Sequence, residues 1–274
     1  MANPPQLCYN HPMEKLAGVY ESKKKNGETY YRSSLTYQGK HISLGSFDEA
    51  MKAHLCYQEG LSYLTDTSIT LQNCNPEYLS FEKVVILLNF RDNRLYFGTP
   101  IYVRGKYFYY YFSKYEHLIF DIEDLFYYSS HKIMRRGGHL FVADYGMQVN
   151  ILNRYGIKNY AVKNRDYFFV NGNESDYRYT NIEVINHYHG VLKETKNNRT
   201  YYKAKIHING DYLIGTYDTE NEAAIAYNKA VDIVRSKGIT KNYPVNYIED
   251  LSAKMYAEIY TSLTVSEKLA TINP

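Results

Sequence analysis

Residues Tyr201–Tyr217 read YYKAKIHINGDYLIGTY, and this stretch predicts two β-strands joined by a turn. Apolar and basic side chains alternate in its first half, and a period of two is typical of a strand with one buried face. The basic side chains of the other, exposed face are Lys203, Lys205 and His207. Asn209-Gly210 is typical of a two-residue hairpin turn, so we expect the segment Asp211–Thr216 to pair back antiparallel.

A helix is predicted directly after this hairpin. Asp218 or Thr219 is suited to cap its first turn, and Gly238 is suited to end it after Lys237. Its apolar stripe consists of Ala223, Ala224, Tyr227, Ala230, Val231 and Val234. A helix with one such stripe covers one face of the sheet and leaves the other face exposed.

The same pattern occurs near the start of the chain. Residues Tyr30–Phe47 read YYRSSLTYQGKHISLGSF, with the same Tyr-Tyr-basic beginning and the same aliphatic-Gly-Ser/Thr-aromatic end. Gly18-Val19 precedes this copy as Gly190-Val191 precedes the other, and Gln38-Gly39 is its weaker turn signal. The repeat predicts one unit used twice, a three-stranded sheet with a helix across one face.

The exposed face of each predicted sheet is basic and polar. In the second copy, the face and its surroundings carry Lys203, Lys205, His207, Lys193, Lys196 and Arg199. In the first copy, the equivalents are Arg32, Ser34 and Thr36, with the loop residues Lys23, Lys24 and Lys25. Such a face suits the DNA major groove, where phosphates supply affinity and base edges supply specificity. The alternative is an ordinary solvated sheet face that carries lysines.

Residues Gly190–Tyr247 resemble the AP-two/ERF DNA-binding domain, which is known from plant ethylene-response factors and phage homing endonucleases. The matching positions are Gly190, Val191, Ala204, Ile206, Gly215, Thr216, Ala223, Ala224, Ala226, Tyr227 and Ala230. The family reads DNA through its sheet, which here implies Lys203, Lys205, His207, Asp211 and Leu213. Plant members have Arg or Trp at the positions of Leu192, Glu194 and Leu213, so their base specificity is not carried over. The first copy, Gly18–Gly60, is the weaker match, with Glu49-Ala50-Met51-Lys52-Ala53-His54 in place of Glu-Ala-Ala-x-Ala-Tyr.

The segment 151–186 resembles the His-Asn-His (HNH) nuclease motif of phage homing enzymes, in which a hairpin leads to a helix. The scaffold positions that match are Asn171, Gly172, Asn173, Asp176, Arg178 and Asn181. The family's metal-binding Asp and general-base His are replaced by Phe168 and Phe169, and an upstream His by Asn153. Phenylalanine neither binds a metal nor accepts a proton. We therefore expect a degenerate nuclease fold with no catalytic residues.

Two further sites of metal binding are weighed against that expectation. A divalent metal held by Asp166, Asn181 and His187 is required only if the chain is an active HNH endonuclease with a rebuilt site. Cys8 and His11 have the spacing of half a zinc site, but no second pair at ligand spacing accompanies them. No cofactor is expected otherwise.

The composition fits a reducing, cytoplasmic setting. The 274 residues include 33 Tyr and only three widely spaced Cys, and the net charge is +3. The odd number of cysteines argues against a disulfide framework, and the first residues lack the charged and apolar regions of a signal peptide. A membrane span is not expected, since the longest apolar run, Val84–Leu88, is short. Any basic surface must be local, and two linked modules can each bind weakly.

The predicted organisation is an α+β chain with two AP-two/ERF-like modules flanking a degenerate HNH-like ββα core. Residues 1–64 are predicted to form the first module, 65–98 a linker or irregular connection that includes a short helix, 99–187 the core, 188–250 the second module and 251–274 a C-terminal helix. Lys106–Phe112 is expected to be a strand buried on both faces. We expect a regulator of a phage or mobile element that binds double-stranded DNA selectively, with a possible homodimer through the C-terminal helix. The alternatives are the active endonuclease and a protein-binding module or inhibitor.

Overall fold

Helices and antiparallel strands alternate along the chain in the computed structural model, which describes residues 15–272. The predicted α+β class is confirmed. The chain divides into two compact units, residues 1–132 and residues 133–274, so the segment 99–187 is shared between them. No helix within residues 15–272 combines the length and the apolarity needed to cross a bilayer.

The first unit begins with the first copy of the repeat. Its strands are β1 (Val19–Lys23), β2 (Thr29–Tyr37) and β3 (Lys40–Phe47), antiparallel in the order β1-β2-β3. Helix α1 (Ala50–Thr65) packs across one face of this sheet. Their shared core includes Leu35, Ile42, Leu44, Cys56 and Leu64.

A second helix and a second sheet complete this unit. Helix α2 (Phe81–Asn93) begins at the N-cap Ser80, and all seven residues from 84 to 90 are buried. Strands β4 (Ile101–Arg104), β5 (Tyr107–Ser113) and β6 (Glu116–Asp121) form an antiparallel sheet, and α3 (Leu125–Ser130) follows. The expectation for β5 is confirmed at its centre, because Tyr110 and Tyr111 point to opposite faces and both are buried.

The segment predicted as a linker is firmly held rather than loose. The Glu59 carboxylate of α1 accepts hydrogen bonds from the backbone N–H groups of residues 77, 78 and 79. The Arg91 guanidinium of α2 donates to the carbonyl oxygens of Tyr63, Asp66 and Ile69. Residues 65–79 are thus an irregular connection rather than a free linker, since charged groups of two helices bind part of its backbone and Leu71 and Cys74 are buried in the core.

The second unit starts with short strands. Strands β7 (Met134–Arg136), β8 (His139–Asp144) and β9 (Met147–Asn150) form a three-stranded sheet, and β10 (Tyr167–Phe169) pairs with β11 (Ile182–Val184). All residues from 133 to 190 are described, and none of them lies in an α-helix. The prediction of a helix after the hairpin of the ββα core is thus wrong. Residues Ile182 and Val184 are β-branched and pair with Phe169 and Tyr167, which favours a strand.

The second copy of the repeat has the predicted elements. Strands β12 (Val191–Lys196), β13 (Arg199–His207) and β14 (Asp211–Tyr217) form an antiparallel sheet covered by α4 (Glu220–Ser236). Thr219 caps α4 in a reciprocal capping box with Glu222, as its position in the sequence suggested. The six residues of the predicted apolar stripe are all buried.

The end of the chain belongs to the second module. Helix α5 (Ala253–Ser262) begins after Ser252, which caps it by accepting a hydrogen bond from Met255 N. It ends at 262, so the predicted helix 251–274 is too long. Leu269 and Ile272 beyond it are buried in the core formed by α4 and the second sheet. The dimer through this helix stays a prediction.

Candidate nucleic-acid interface

The two sheets of the repeat share one hydrogen-bonding register. Val19 pairs with Ser33, which pairs with Gly45. Val191 pairs with Ala204, which pairs with Gly215. In both copies the register shifts at the next step of the central strand, which marks a β-bulge at the same position. The repeat seen in the sequence is therefore a repeat of backbone geometry.

A glycine–tyrosine contact fixes the helix against the sheet in both copies. Gly18 and Gly190 have φ of 75° and 74°, and a Cβ at either position would meet the ring of a helix tyrosine, Tyr57 or Tyr227. The structure thus aligns Tyr57 with Tyr227. The sequence comparison had placed His54 at that position, and it is corrected by three residues.

The exposed face of the second sheet carries most of the predicted basic residues. Lys203 lies on it but is already paired: its Nζ is 2.7 Å from Glu194 Oε2 on the neighbouring strand. The Tyr201 hydroxyl donates to the same oxygen at 2.8 Å. These hydrogen bonds, that from Lys203 first, hold the pKa of Glu194 below its ordinary value, so the pair is charged at neutral pH.

Two other residues predicted to contact DNA, His207 and Arg199, also have acidic partners. His207 Nδ1 lies 2.7 Å from Asp211 Oδ1, and Arg199 Nη2 lies 2.8 Å from Asp218 Oδ1. Lys205 and Lys196 form no ion pair within the part of the chain that the structure describes. The His207–Asp211 and Arg199–Asp218 pairs are fully on the surface and contribute about 1 kcal/mol or less each, so they can open to exchange an acid for a phosphate.

Lys193 does not share this face. Lys193 lies two residues after Val191, which is buried against the helix, so the two share one face of β12. The cross-strand partner of Lys193, Tyr202, packs on the same core. Strand alternation therefore directs Lys193 to the helix side of the sheet. The prediction that Lys193 belongs to the surroundings of the exposed face is therefore corrected.

The exposed face of the first sheet has a different charge pattern. Alternation places Tyr20, Arg32, Thr36 and His41 on it, with Ser34 buried between them. None of the positions of β1–β3 on this face, all of them described, is a carboxylate. In the nearby loop Lys24 pairs with Glu28 at 3.0 Å, and Lys25 forms no ion pair with a described residue. Lys23, predicted in this loop, is instead the last residue of β1, where alternation puts it on the same side of the sheet as Val19.

A groove lies on the exposed side of each sheet. The groove of the first copy is lined by Tyr20, Arg32, Ser33, Ser34, His41 and Ser43. The groove of the second copy includes Leu192, Lys205, His207 and Asp211, together with Tyr160 and Arg165 from the preceding segment. Because β2 and β13 share one register, Ser34 corresponds to Lys205, and the two grooves occupy the same position in the repeat.

The HNH-like scaffold residues form one hydrogen-bonded network. The buried Asp176 carboxylate accepts from Arg178 Nε at 2.8 Å and from Asn171 Nδ2 at 2.9 Å. Asn181 Oδ1 accepts from Asn171 N, and Asn181 Nδ2 donates to the Asp176 carbonyl. Gly172 has φ of 75° at the turn, and Asn173 Oδ1 accepts from Ser175 N. The network ties the turn to β11.

The residues of the alternative metal site are bound to separate protein groups. Asp166 accepts from Val162 N, Arg165 and Asn186. His187 Nδ1 lies 3.0 Å from Glu220 Oε2, and Asn181 belongs to the Asp176 network. Phe169 is buried and Phe168 half-buried in β10. Cys8 and His11 lie outside the described residues, within which no cluster of three potential His, Cys, Asp or Glu ligands occurs.

Sequence reasoning missed two features of this candidate interface. His41 lies on the first face opposite Thr36, and its alternation with Ile42 was a sufficient signal. The Glu194–Lys203 pair joins residues nine positions apart, and only the register of β12 against β13 brings them together.

Comparison of the chain with protein-family models, with curated protein sequences and with solved structures finds no match.

Proposed function

We propose that the chain binds double-stranded DNA selectively through the exposed faces of its two repeated sheets. The observation that carries this proposal is the shared geometry of the two copies. Each has the same register, the same bulge and a helix on one side only, and the other side bears a groove with basic residues. A feature that recurs in two copies is better explained by a common function than by chance.

The dimensions and charges of these faces suit a DNA groove. The outer strands of a three-stranded sheet are about 10 Å apart, close to the roughly 12 Å width of the major groove. Arg32 and His41 in the first copy and Lys196 and Lys205 in the second form no ion pair with a described residue and are available to phosphates or base edges. The small net charge of +3 is compatible with this, because two modules on one chain reinforce each other.

The HNH-like segment has a supporting role in this proposal. Its polar residues bond to one another, and Phe168 and Phe169 replace the groups that would bind metal and accept a proton. We therefore propose a regulator or architectural factor of a phage or mobile element, acting in the cytoplasm without cleaving DNA. The resemblance of both segments to phage homing enzymes supports the choice of element.

A gel-shift experiment on the full chain tests the proposal. Labelled duplexes of random sequence are incubated with the protein and Mg²⁺ at low and at physiological salt, and retardation and strand integrity are scored in the same lanes. Retarded, intact DNA whose binding weakens steeply with salt is the expected result. Nicked DNA would instead support the endonuclease with a rebuilt metal site. Absence of a shift at low salt would refute DNA binding and favour a protein partner.

A further inference from the structure

The carboxylate of Glu194 has an unusual position for a protein expected to bind a polyanion. Glu194 lies on the exposed face of β12, opposite Tyr201 and diagonal to Lys203. Phosphates repel a carboxylate, so an acid on this face reduces general DNA affinity. An acid that is directed at a base edge, however, adds sequence preference at that cost.

One oxygen of this carboxylate is fixed and the other is free to accept. Oε2 accepts from Lys203 Nζ at 2.7 Å and from the Tyr201 hydroxyl at 2.8 Å. No residue among 15–272 donates a hydrogen bond to Oε1, and the side chain is 37% exposed. Two bonds to one oxygen restrict the rotamers of the side chain, so Oε1 is oriented before any ligand arrives.

The base edges of the major groove respond differently to such an acceptor. Guanine presents two acceptors and thymine presents one beside its methyl group, so both repel a carboxylate oxygen. Adenine presents a donor next to an acceptor. Cytosine presents its N4 amino group as a donor and carries no major-groove acceptor of its own, which makes it the favoured partner of an ionised Glu.

We propose that Glu194 reads a cytosine, so that the site bound by the second module contains a C·G pair at the position facing this residue. The inference rests on the proposed DNA-binding function and adds a specificity-determining residue to it. Lys203 and Tyr201 act as positioning residues that hold Oε2 and leave Oε1 for the N4 amino group. The cost of placing an acid near phosphates is offset locally by the Lys203 charge.

Selection of binding sites by the full-length chain tests this inference. Wild type, Glu194→Gln and Glu194→Asp are each used to enrich duplexes from a random pool, and the enriched pools are sequenced. Wild type is expected to prefer cytosine over other bases at one position, on the order of tenfold or more. Glu194→Gln is expected to change that position to adenine, because an amide pairs with adenine N6 and N7. Glu194→Asp keeps the charge but loses reach, so its preference at that position should weaken.

Asp232→Asn provides the matched control. Asp232 is an exposed carboxylate on α4, where it accepts from the Tyr260 hydroxyl, so its substitution changes the net charge as Glu194→Gln does. Its pool should be that of wild type. If the Glu194→Gln pool is also unchanged, Glu194 only pairs with Lys203, and the inference is overturned while DNA binding stands. If neither wild type nor any of the variants enriches a duplex, the proposed function fails, and the reading of cytosine fails with it.

Discussion

Tyr227 occupies the space into which a side chain at Gly190 would project. A Cβ on Gly190 would lie 2.6 Å from Tyr227 Cε2 and 2.5 Å from the Lys205 carbonyl oxygen. The same residue pair recurs as Gly18 and Tyr57 in the first copy. This contact lets the chain enter the sheet directly beneath the helix, and it sets the distance between the helix and the strand whose other face carries Lys205.

Gly190→Ala is expected to destabilise the second module. The substitution forces a left-handed backbone on a residue with a Cβ and overpacks the contact with Tyr227, at a combined cost on the order of 2–5 kcal/mol. Urea denaturation followed by far-UV circular dichroism measures the loss. Gly210→Ala is the control, since Gly210 lies in the same module outside the left-handed region and a Cβ there would meet nothing within 4 Å. Equal stability of the two variants would contradict the packing role assigned to Gly190.

The repeat could be predicted from the sequence, but the alignment of its helices could not. Shifting a helix by three residues turns it by nearly one full turn and leaves the apolar stripe in place, so periodicity does not distinguish His54 from Tyr57. Only the contact with Gly18 selects Tyr57. Sequence-local signals therefore identify the elements, and tertiary contacts set their register.

Turns and connections show the same limit. Gln38-Gly39, the weaker signal, forms the two-residue turn with positive φ at both residues. Asn209-Gly210 does not, because His207 pairs with Asp211 across a three-residue loop in which Asn209 Oδ1 accepts from the Tyr212 hydroxyl. The preference of Asn-Gly for a two-residue turn is therefore not realised in the second copy. Likewise, the polar composition of residues 65–79 does not indicate that Glu59 and Arg91 bind backbone groups of this segment.

The charges of the candidate interface were only partly predictable. Lysines and arginines were found from alternation, but their partners depend on which strands are neighbours. Lys203 and Glu194 meet because β12 and β13 pair in one particular register. A slip of one residue would move each side chain to the opposite face of the sheet.

Lys205→Gln is expected to weaken DNA binding. Lys205 lies on the exposed face and forms no ion pair with a described residue, so its loss removes about one phosphate contact and lowers the salt slope of log K by about one. Lys193→Gln is the control, because Lys193 lies in the same module on the helix side of the sheet. Titration of one duplex at several salt concentrations measures both slopes. Identical slopes for the two variants would contradict the assignment of the exposed face as the DNA contact.

Arg91→Met is expected to destabilise the first unit. The side chain is only 7% exposed and donates to three carbonyl oxygens, two of them in residues 65–79. Methionine retains most of the packing but leaves these acceptors without their donor, at a cost of about 3 kcal/mol. Arg94→Met is the control, since Arg94 is exposed at the end of the same helix. Urea denaturation compares the two variants, and a loss below about 1 kcal/mol for Arg91→Met would mean that water replaces the guanidinium.

Asp176→Asn is expected to change how the stability of the second unit depends on pH. Burial by itself raises the pKa of Asp176, but hydrogen bonds from Arg178 and Asn171 outweigh it and hold the pKa below its ordinary value. A carboxyl whose pKa is lowered by folding stabilises the native state above its unfolded pKa of about 3.9. That stabilisation is lost as the pH falls from about 4 through the lower folded pKa.

The comparison that checks this is the free energy of unfolding of wild type and Asp176→Asn between about pH 2 and pH 7. At neutral pH the variant should be less stable by about 2 kcal/mol, because the amide loses the charge-assisted bonds from Arg178. The gap should close as the pH falls below about 4, since wild-type Asp176 then becomes protonated and also loses its charge. If the difference in free energy of unfolding stays constant over the whole range, Asp176 acts through its shape and neutral hydrogen bonds. The ion pair with Arg178 would then contribute little to the stability of the network.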